Sequence, residues 1–594
     1  PGNSRFGYAM SQQGYVSRYD LITGHQQMIR PVHPKGEYLR FNWNSAIAQD
    51  PFDEDAIFFG SQYVHYSTDR GNNWDIISPD LTTNDADKQK QHESGGLTFD
   101  ATGAENFTTI LVIEPSPLDR NIIWVGTDDG NVQVSIDRGK TWNNIAKKIH
   151  GAPAGSWIAQ INASNYNPAE AVVVINNYRR NDWRPYVFKT NNYGKSWKSI
   201  TDEDKVWGHA LSYVQDPVEP NLQFLGTEYG LYVTLDNAKT WTKWTSGFPT
   251  VSTTDLKIHP RENDLVIGTF GRAAYILDDI RPLREMASSK KNIIKKQLHF
   301  FEPPTAVQAI NRQASGTRFE ANAIFTGENR RRGAMLTFVF NTDKKKNKSK
   351  KDNKDIKIKG KNKKEKVTME VLDVDGNVIR TVKHSVEAGI NRVYWSLRRK
   401  GVRSPNTPKQ TKPDAKEPSG PPVLAGKYTV RLSHGKDTTS QVVNVILDPR
   451  VGIDTPNLER LQPIYERQME ITTSVTKAMD RIREAKKIVG SVNKMLNVKK
   501  KESHKTLQTN GKSMTDSLKV LEELIVNKKG LQGIVRSPNI LSGKIGAING
   551  YLYSNLTGPN RSHDYLLDYS EAETEKVLDK INQFFNNNWP EYQS

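Results

Sequence analysis

Three short turns carry the residues best suited to chemistry. Asp128-Asp129-Gly130, Glu228-Tyr229-Gly230 and Phe270-Gly271-Arg272 each follow an apolar run ending in Gly-Thr. Hydrolysis of a glycosidic bond needs two carboxylates across a cleft, one to protonate the leaving oxygen and one to serve as base or nucleophile. On that ground Asp128, Asp129 and Glu228 are candidate catalytic residues, with Tyr229 and Arg272 beside them on a candidate ligand face. The same residues are good turn formers, which accounts for their presence equally well. Other chemistries lack their residues. The chain has no Cys, so thiolate catalysis, disulfides and Cys-ligated zinc are excluded. No His-x-x-x-His, Gly-x-Ser-x-Gly or P-loop pattern occurs, and neither a metal nor a cofactor is expected. Asp373-Val374-Asp375-Gly376-Asn377 opens like a calcium loop, but Val378 and His384 stand where Gly and Glu are required. It is read as a hairpin turn.

Charge points away from nucleic acid. Of the net +18 over 594 residues, +10 sits between Lys344 and Lys366, where 13 Lys face three acids with no aromatic residue. That run reads as a solvated loop. No stretch is long and apolar enough for a spanning helix. The sequence starts Pro1-Gly2-Asn3, with neither Met nor an apolar leader. This reads as a removed signal peptide or a missing N-terminal part.

The elements that must position these turns are legible from a repeat. Ser67-Thr68-Asp69-Arg70-Gly71-Asn72-Asn73-Trp74 recurs at 135–142, 190–197 and 234–241 as [Ser/Thr]-x-[Asp/Asn]-x-Gly-x-[Ser/Thr/Asn]-Trp. Asp69, Asp137, Asn192 and Asp236 are expected to hold a turn through backbone N–H groups. Gly71, Gly139 and Gly194 are expected to take positive φ. Trp74, Trp142, Trp197 and Trp241 are expected to plug the space between neighbouring sheets. Ala238 replaces the fourth Gly, which predicts a reshaped or strained turn. A strand precedes each box, and an x-Pro turn precedes each strand pair. One unit is four antiparallel strands, a propeller blade. Five units are clear, and six or more blades, an added N-terminal piece or a second chain is expected to close the ring.

These boxes resemble the Asp-box (BNR) repeats of sialidases, sortilin-type receptors and xyloglucanase-type glycosidases. The phrases Arg40-Phe41-Asn42-Trp43-Asn44, Gly226-Thr227-Glu228-Tyr229-Gly230 and Gly268-Thr269-Phe270-Gly271-Arg272 resemble a bacterial Asp-box propeller family often labelled glycosyl hydrolase. That family is expected to carry His where this chain has Phe270. Its members are longer, which implies that this chain is a C-terminal part of such a protein.

The whole reads as mainly β: an Asp-box β-propeller over 1–285, a connector over 286–302, an Ig-like β-sandwich over 303–450 and an α-helical bundle over 454–594. The sandwich is drawn from period-2 strands near 335–340, 367–372, 392–395, 427–432 and 441–445. Its details resemble the module of flagellar hook-capping proteins. It carries a Lys-rich loop over 343–366 and a Pro/Lys-rich loop over 404–422, the latter expected to be disordered or extended. Helices are expected from Thr455-Pro456 onward and over 503–526, 538–554 and 570–586. Two functions remain open: a non-catalytic secreted or envelope protein docking a protein or glycan, or a glycosidase of the Asp-box class. An exported location in a Gram-negative bacterium, as periplasmic, outer-membrane-surface or secreted protein, is expected.

Overall fold

The computed structural model describes residues 3–90, 93, 106–289, 292–309, 330–342, 365–410, 415–498, 504–528, 530, 532–533 and 540–594. Nearly all of the Lys-rich loop 343–366 therefore lies outside the described residues. The chain divides into two units, Pro1–Lys291 and Asn292–Ser594.

The first unit is six antiparallel sheets in chain order. Sheet 1 holds β1 (Phe6–Ser11), β2 (Tyr15–Asp20) and β3 (Gln26–Met28). Sheet 2 holds β4 (Ile47–Gln49), β5 (Ile57–Gly60), β6 (Val64–Ser67) and β7 (Asp75–Ile76). Sheet 3 holds β8 (Ile110–Pro115), β9 (Ile123–Thr127), β10 (Val132–Ser135) and β11 (Asn143–Asn144). Sheet 4 holds β12 (Trp157–Ala163), β13 (Ala171–Asn177), β14 (Asp182–Thr190) and β15 (Lys198–Ser199). Sheet 5 holds β16 (Ala210–Gln215), β17 (Gln223–Thr227), β18 (Gly230–Thr234) and β19 (Thr242–Lys243). Sheet 6 holds β20 (Thr253–Ile258), β21 (Leu265–Thr269) and β22 (Ala274–Leu277), after which helix α1 (Arg281–Ser288) takes over.

Strands pair up and down, and successive sheets stack face to face. Ile110 and Val125 of sheet 3 pack on Phe58 of sheet 2. Trp124 packs on Ile158 and Val173, and Tyr213 and Leu225 pack on Val174. Because both faces are covered, the second strands of sheets 2 to 5 are buried throughout, which explains their largely apolar sequences. The first strands of sheets 2 to 6 approach one another in turn. They bring Glu114 of β8 within electrostatic reach of Lys257 of β20, and burial pushes the Glu114 carboxyl up to about 7.

The corner turns between third and fourth strands share one bonding scheme. Ser67, Ser135, Thr190 and Thr234 each donate a hydroxyl to the Asp or Asn two residues on, at 2.8–3.0 Å. The same hydroxyls accept the N–H of Gly71, Gly139, Gly194 and Ala238. The Asp or Asn oxygen accepts a further backbone N–H four residues on. Ala238 keeps the turn's shape and holds φ at 61° itself, so the fourth turn is strained rather than reshaped.

Each corner Trp reaches the preceding sheet. Trp74, Trp142 and Trp241 donate their indole N–H to the carbonyls of Ile29, Ile77 and Ile200. Trp197 has no acceptor among the described residues. The Ile145 carbonyl in the equivalent place accepts Lys148 N–H in a short 3₁₀ turn instead.

In the second unit a three-stranded sheet and a five-stranded sheet share one apolar core. The first has the order β23 (Leu298–Phe300), β25 (Ala334–Phe340), β28 (Gly389–Trp395). The second has the order β24 (Ala306–Gln308), β32 (Asp437–Leu447), β31 (Gly426–His434), β26 (Lys366–Leu372), β27 (Val378–Ser385). Leu336, Phe338 and Trp395 meet Met369, Val430 and Val443 between them. Asp373 closes the β26–β27 hairpin by accepting the N–H groups of Asp375 and Asn377.

The segment 404–422, expected to be disordered or extended, is ordered in its described parts. Ser419–Pro422 forms β30 against β29 (Arg398–Lys400). Nearby, Thr476 and Arg483 donate to the Arg403 and Pro405 carbonyls at 2.8 and 2.7 Å.

The helices are α2 (Thr455–Glu459), α3 (Gln462–Val498), α4 (Lys505–Ile525), α5 (Leu541–Ser554), α6 (Arg561–Gln583) and, after one π-helical turn, α7 (Trp589–Gln593). They bury a stripe that includes Val475, Ile482, Leu518, Ile548 and Leu567. Helix α6 begins nine residues before the expected 570. Asn560 caps it, with His563 returning the bond to the Asn560 N–H.

Candidate functional site

The turn joining second and third strands lies at the opposite strand ends from the corner turns. In sheet 3 it holds the candidate catalytic residues Asp128 and Asp129, which are only 1% and 2% exposed. Asp128 accepts Thr109 N–H and hydroxyl at 2.9 and 2.6 Å and the Asn42 amide at 3.1 Å. Burial pushes its carboxyl up to about 7, against the lowering effect of those bonds. Asp129 accepts Thr83 N–H and hydroxyl at 2.7 and 2.6 Å and the Thr127 hydroxyl. Both carboxylates thus tie this hairpin to the segments that lead into sheet 3.

The equivalent hairpin of sheet 5 turns outward. Glu228 is partly exposed, and Tyr229 is 47% exposed. Arg272, in the sheet 6 hairpin, is exposed and makes no ion pair with Glu228 among the described residues. Neighbouring Phe270 stands 79% exposed.

Glu228 belongs to a cluster that the sequence reading does not single out. His209, just ahead of β16, lies with Nε2 3.6 Å from the Glu228 carboxylate. Tyr178 stacks on His209 at 4.6 Å, and Trp183 lies 5.6 Å from the same ring. The Arg179 guanidinium sits 3.7 Å over Trp157 and 4.5 Å over Tyr178. Burial, then Arg179, pulls His209 down to about 4, so the ring is neutral near pH 7. Its Nδ1 is buried without a partner among the described residues.

Gly208 has φ of +81°, and a Cβ there would meet Tyr229 Cδ2 at 2.8 Å and Glu228 Cβ at 2.9 Å. Only glycine lets this connection pass so close to the hairpin. Trp183 and Trp207 are 50% and 63% exposed and, with Tyr229, flank the His209 cluster. The available signal was Trp183 and Trp207 themselves, large aromatic residues away from the corner turns.

Among the described residues no group of His, Asp and Glu could hold a metal ion. None of the described helices is long and apolar enough to cross a membrane. In the second unit a cavity of about 610 Å³ opens between sheets and helices, lined by Val307, Leu397, Arg398, Leu461, Tyr465 and Tyr553 among others, without a carboxylate.

Sheet order, first-strand approach and corner turns define a propeller-type β scaffold. Solved structures similar to the chain include a GH74 xyloglucanase from Xanthomonas campestris, at 15% identity and TM-score 0.35, covering 52% of this chain and 48% of that one. A GH74 enzyme from Niastella koreensis is similar at 12% identity and TM-score 0.30, covering 75% and 72%. YCF48 bound to D1 peptide is similar at 13% and 0.31, covering 47% and 75%. The chain thus spans about half the length of the Xanthomonas enzyme. No family model and no curated protein matches. At these identities and scores the likenesses say nothing about substrate.

Proposed function

We propose that the chain is an exported, non-catalytic docking protein that holds a glycan on the aromatic face of sheets 4 and 5. In this reading the six sheets belong to an Asp-box propeller of the sortilin and sialidase kind. The two-sheet body is an Ig-like module of the hook-capping kind, which with the helices serves protein partners in an envelope or secreted complex. The observation that carries the proposal is the exposed set Trp183, Trp207 and Tyr229 around the half-buried Tyr178–His209 stack, with Glu228 as acceptor at its edge. Rigid aromatic rings supply apolar area at small entropic cost, and sugar rings present matching C–H faces between hydroxyls.

Hydrolysis asks for a second accessible carboxylate opposite Glu228. Asp128 and Asp129 are spent on hairpin bonds and shielded from solvent, which favours docking over the glycosidase alternative. A glycan array followed by calorimetry tests the proposal. Trp207→Ala and Tyr229→Ala are each expected to weaken binding about tenfold while leaving the melting temperature unchanged. Turnover of aryl glycosides that disappears in Glu228→Gln would establish a hydrolase instead.

A further inference from the structure

Sheet 1 lacks a strand that the other five sheets have. Its β3 is a fourth strand. Ile29 N–H donates to Val16 O as Ile77 does to Val64 O, and the Ile29 carbonyl receives Trp74 as the Ile77 carbonyl receives Trp142. Counting back, β2 is a third strand and β1 a second strand. Among the described residues nothing pairs with the other edge of β1, where every other sheet has its first strand. Leu21 N–H bonds Arg5 O across the β1–β2 pair, so by alternation Phe6, Tyr8 and Met10 direct their backbone groups to the free edge. The equivalent groups of sheet 2 are used. Ala56 O accepts from Asp50 N–H, and Gly60 N–H donates to Ala46 O.

The repeat also specifies the charge of the absent partner. In sheet 2 the first strand ends at Asp50, whose carboxylate takes the Tyr66 hydroxyl and Arg138 Nη2. In sheet 5 it ends at Asp216, which holds Arg284 at 2.9 Å. In sheets 3 and 4 the residues at that place are Ser116 and Ser164. There the position matching Arg138 is filled by Tyr193 or Asn237 instead. An acid occurs where an Arg faces it. In sheet 1 the two facing positions are Arg18, which matches Tyr66, and Arg70, which matches Arg138 but is already held by Asp55 at 2.6 Å. Arg18 donates to the Arg70 carbonyl and to Gln27 and has no carboxylate partner among the described residues.

We infer that the free edge of β1 receives an extended polypeptide segment, antiparallel to Phe6–Met10, that ends in an acidic residue followed by Pro and seats its carboxylate on Arg18, beside the Arg70–Asp55 pair. Main-chain bonds to Phe6 O, to Tyr8 N–H and O and to Met10 N–H provide the pairing, and Arg18 fixes its register.

Two synthetic peptides serve as probes, with the sequences of residues 44–53 and 210–219; both contain Gln-Asp-Pro. Either should bind saturably to the full chain and slow hydrogen exchange in the segment 6–11. Binding should be lost when alternate peptide amides are N-methylated, since this removes the ladder and keeps the side chains. Asp→Asn in the peptide, or Arg18→Gln in the chain, should weaken binding about three- to fivefold, with loss of its salt dependence. The inference is overturned by failure of both peptides to bind, by equal binding of the N-methylated form, or by protection elsewhere. It is equally overturned if segment 6–11 is already protected in a concentration-dependent dimer, which would assign the edge to a second copy.

Discussion

The sheet 3 and sheet 5 hairpins occupy the same place in the repeat and reach opposite ends. After matching Gly-Thr steps, Asp128 and Asp129 turn in against Thr109, Asn42 and Thr83, while Glu228 and Tyr229 turn out beside Gly208 and His209. The difference lies in what precedes the first strand of each sheet. Ahead of sheet 3 the chain offers hydroxyls and backbone N–H groups to a carboxylate. Ahead of sheet 5 it offers a ring and a bare backbone. A carboxylate in a hairpin is a staple or a ligand group according to its neighbours from elsewhere in the chain.

The comparison breaks most sharply at Asp129. Asp129→Ala leaves three donors of a closed site unpaired and should cost about 3 kcal/mol in chemical denaturation, whereas Glu228→Gln should change stability by less than about 0.5 kcal/mol. Equal costs would erase the distinction.

Asp128 adds a pH signature. Its folded pKa, about 7, lies above the unfolded value, so the native state binds more protons between about pH 4 and 7. That contribution to stability is present below this window and is lost as pH rises through it. Asp128→Asn should flatten this part of the pH dependence of melting, and a Glu228→Gln variant should leave it intact.

Gly208→Ala sharpens the outward case. Positive φ and the contact with Tyr229 should cost about 1–2 kcal/mol, and glycan affinity should fall with it. Smallest is Ala238→Gly, which relieves a positive φ and should stabilise by about 1 kcal/mol. It separates corner geometry from hairpin contacts, because binding should not change.

Much of the scaffold was legible. Period-2 apolar runs, x-Pro turns and four Trp-ended boxes set out the strand succession, since alternation and turn chemistry are local properties. The start of α6 was missed because Asn560 is answered by His563, where a capping box usually carries Glu or Gln. Composition left 404–422 open between disordered and extended, because it does not show that helix α3 offers Thr476 and Arg483 to the Arg403 and Pro405 carbonyls.

For the candidate site, residue types alone singled out Asp128, Asp129, Glu228, Tyr229 and Arg272 without ranking them. Trp157 and Trp183 stand at the starts of strands β12 and β14, whereas Tyr178, Arg179, Trp207 and His209 lie in connections, so the cluster draws on three separate stretches of chain. No spacing rule links them. By itself the amino-acid order determined which segments extend, where they turn and which corner residues hold those turns, because such preferences act over a few residues. Only the tertiary structure decided which carboxylates see water, which rings stack and which sheet edge stays open, because burial and pairing depend on segments tens of residues apart.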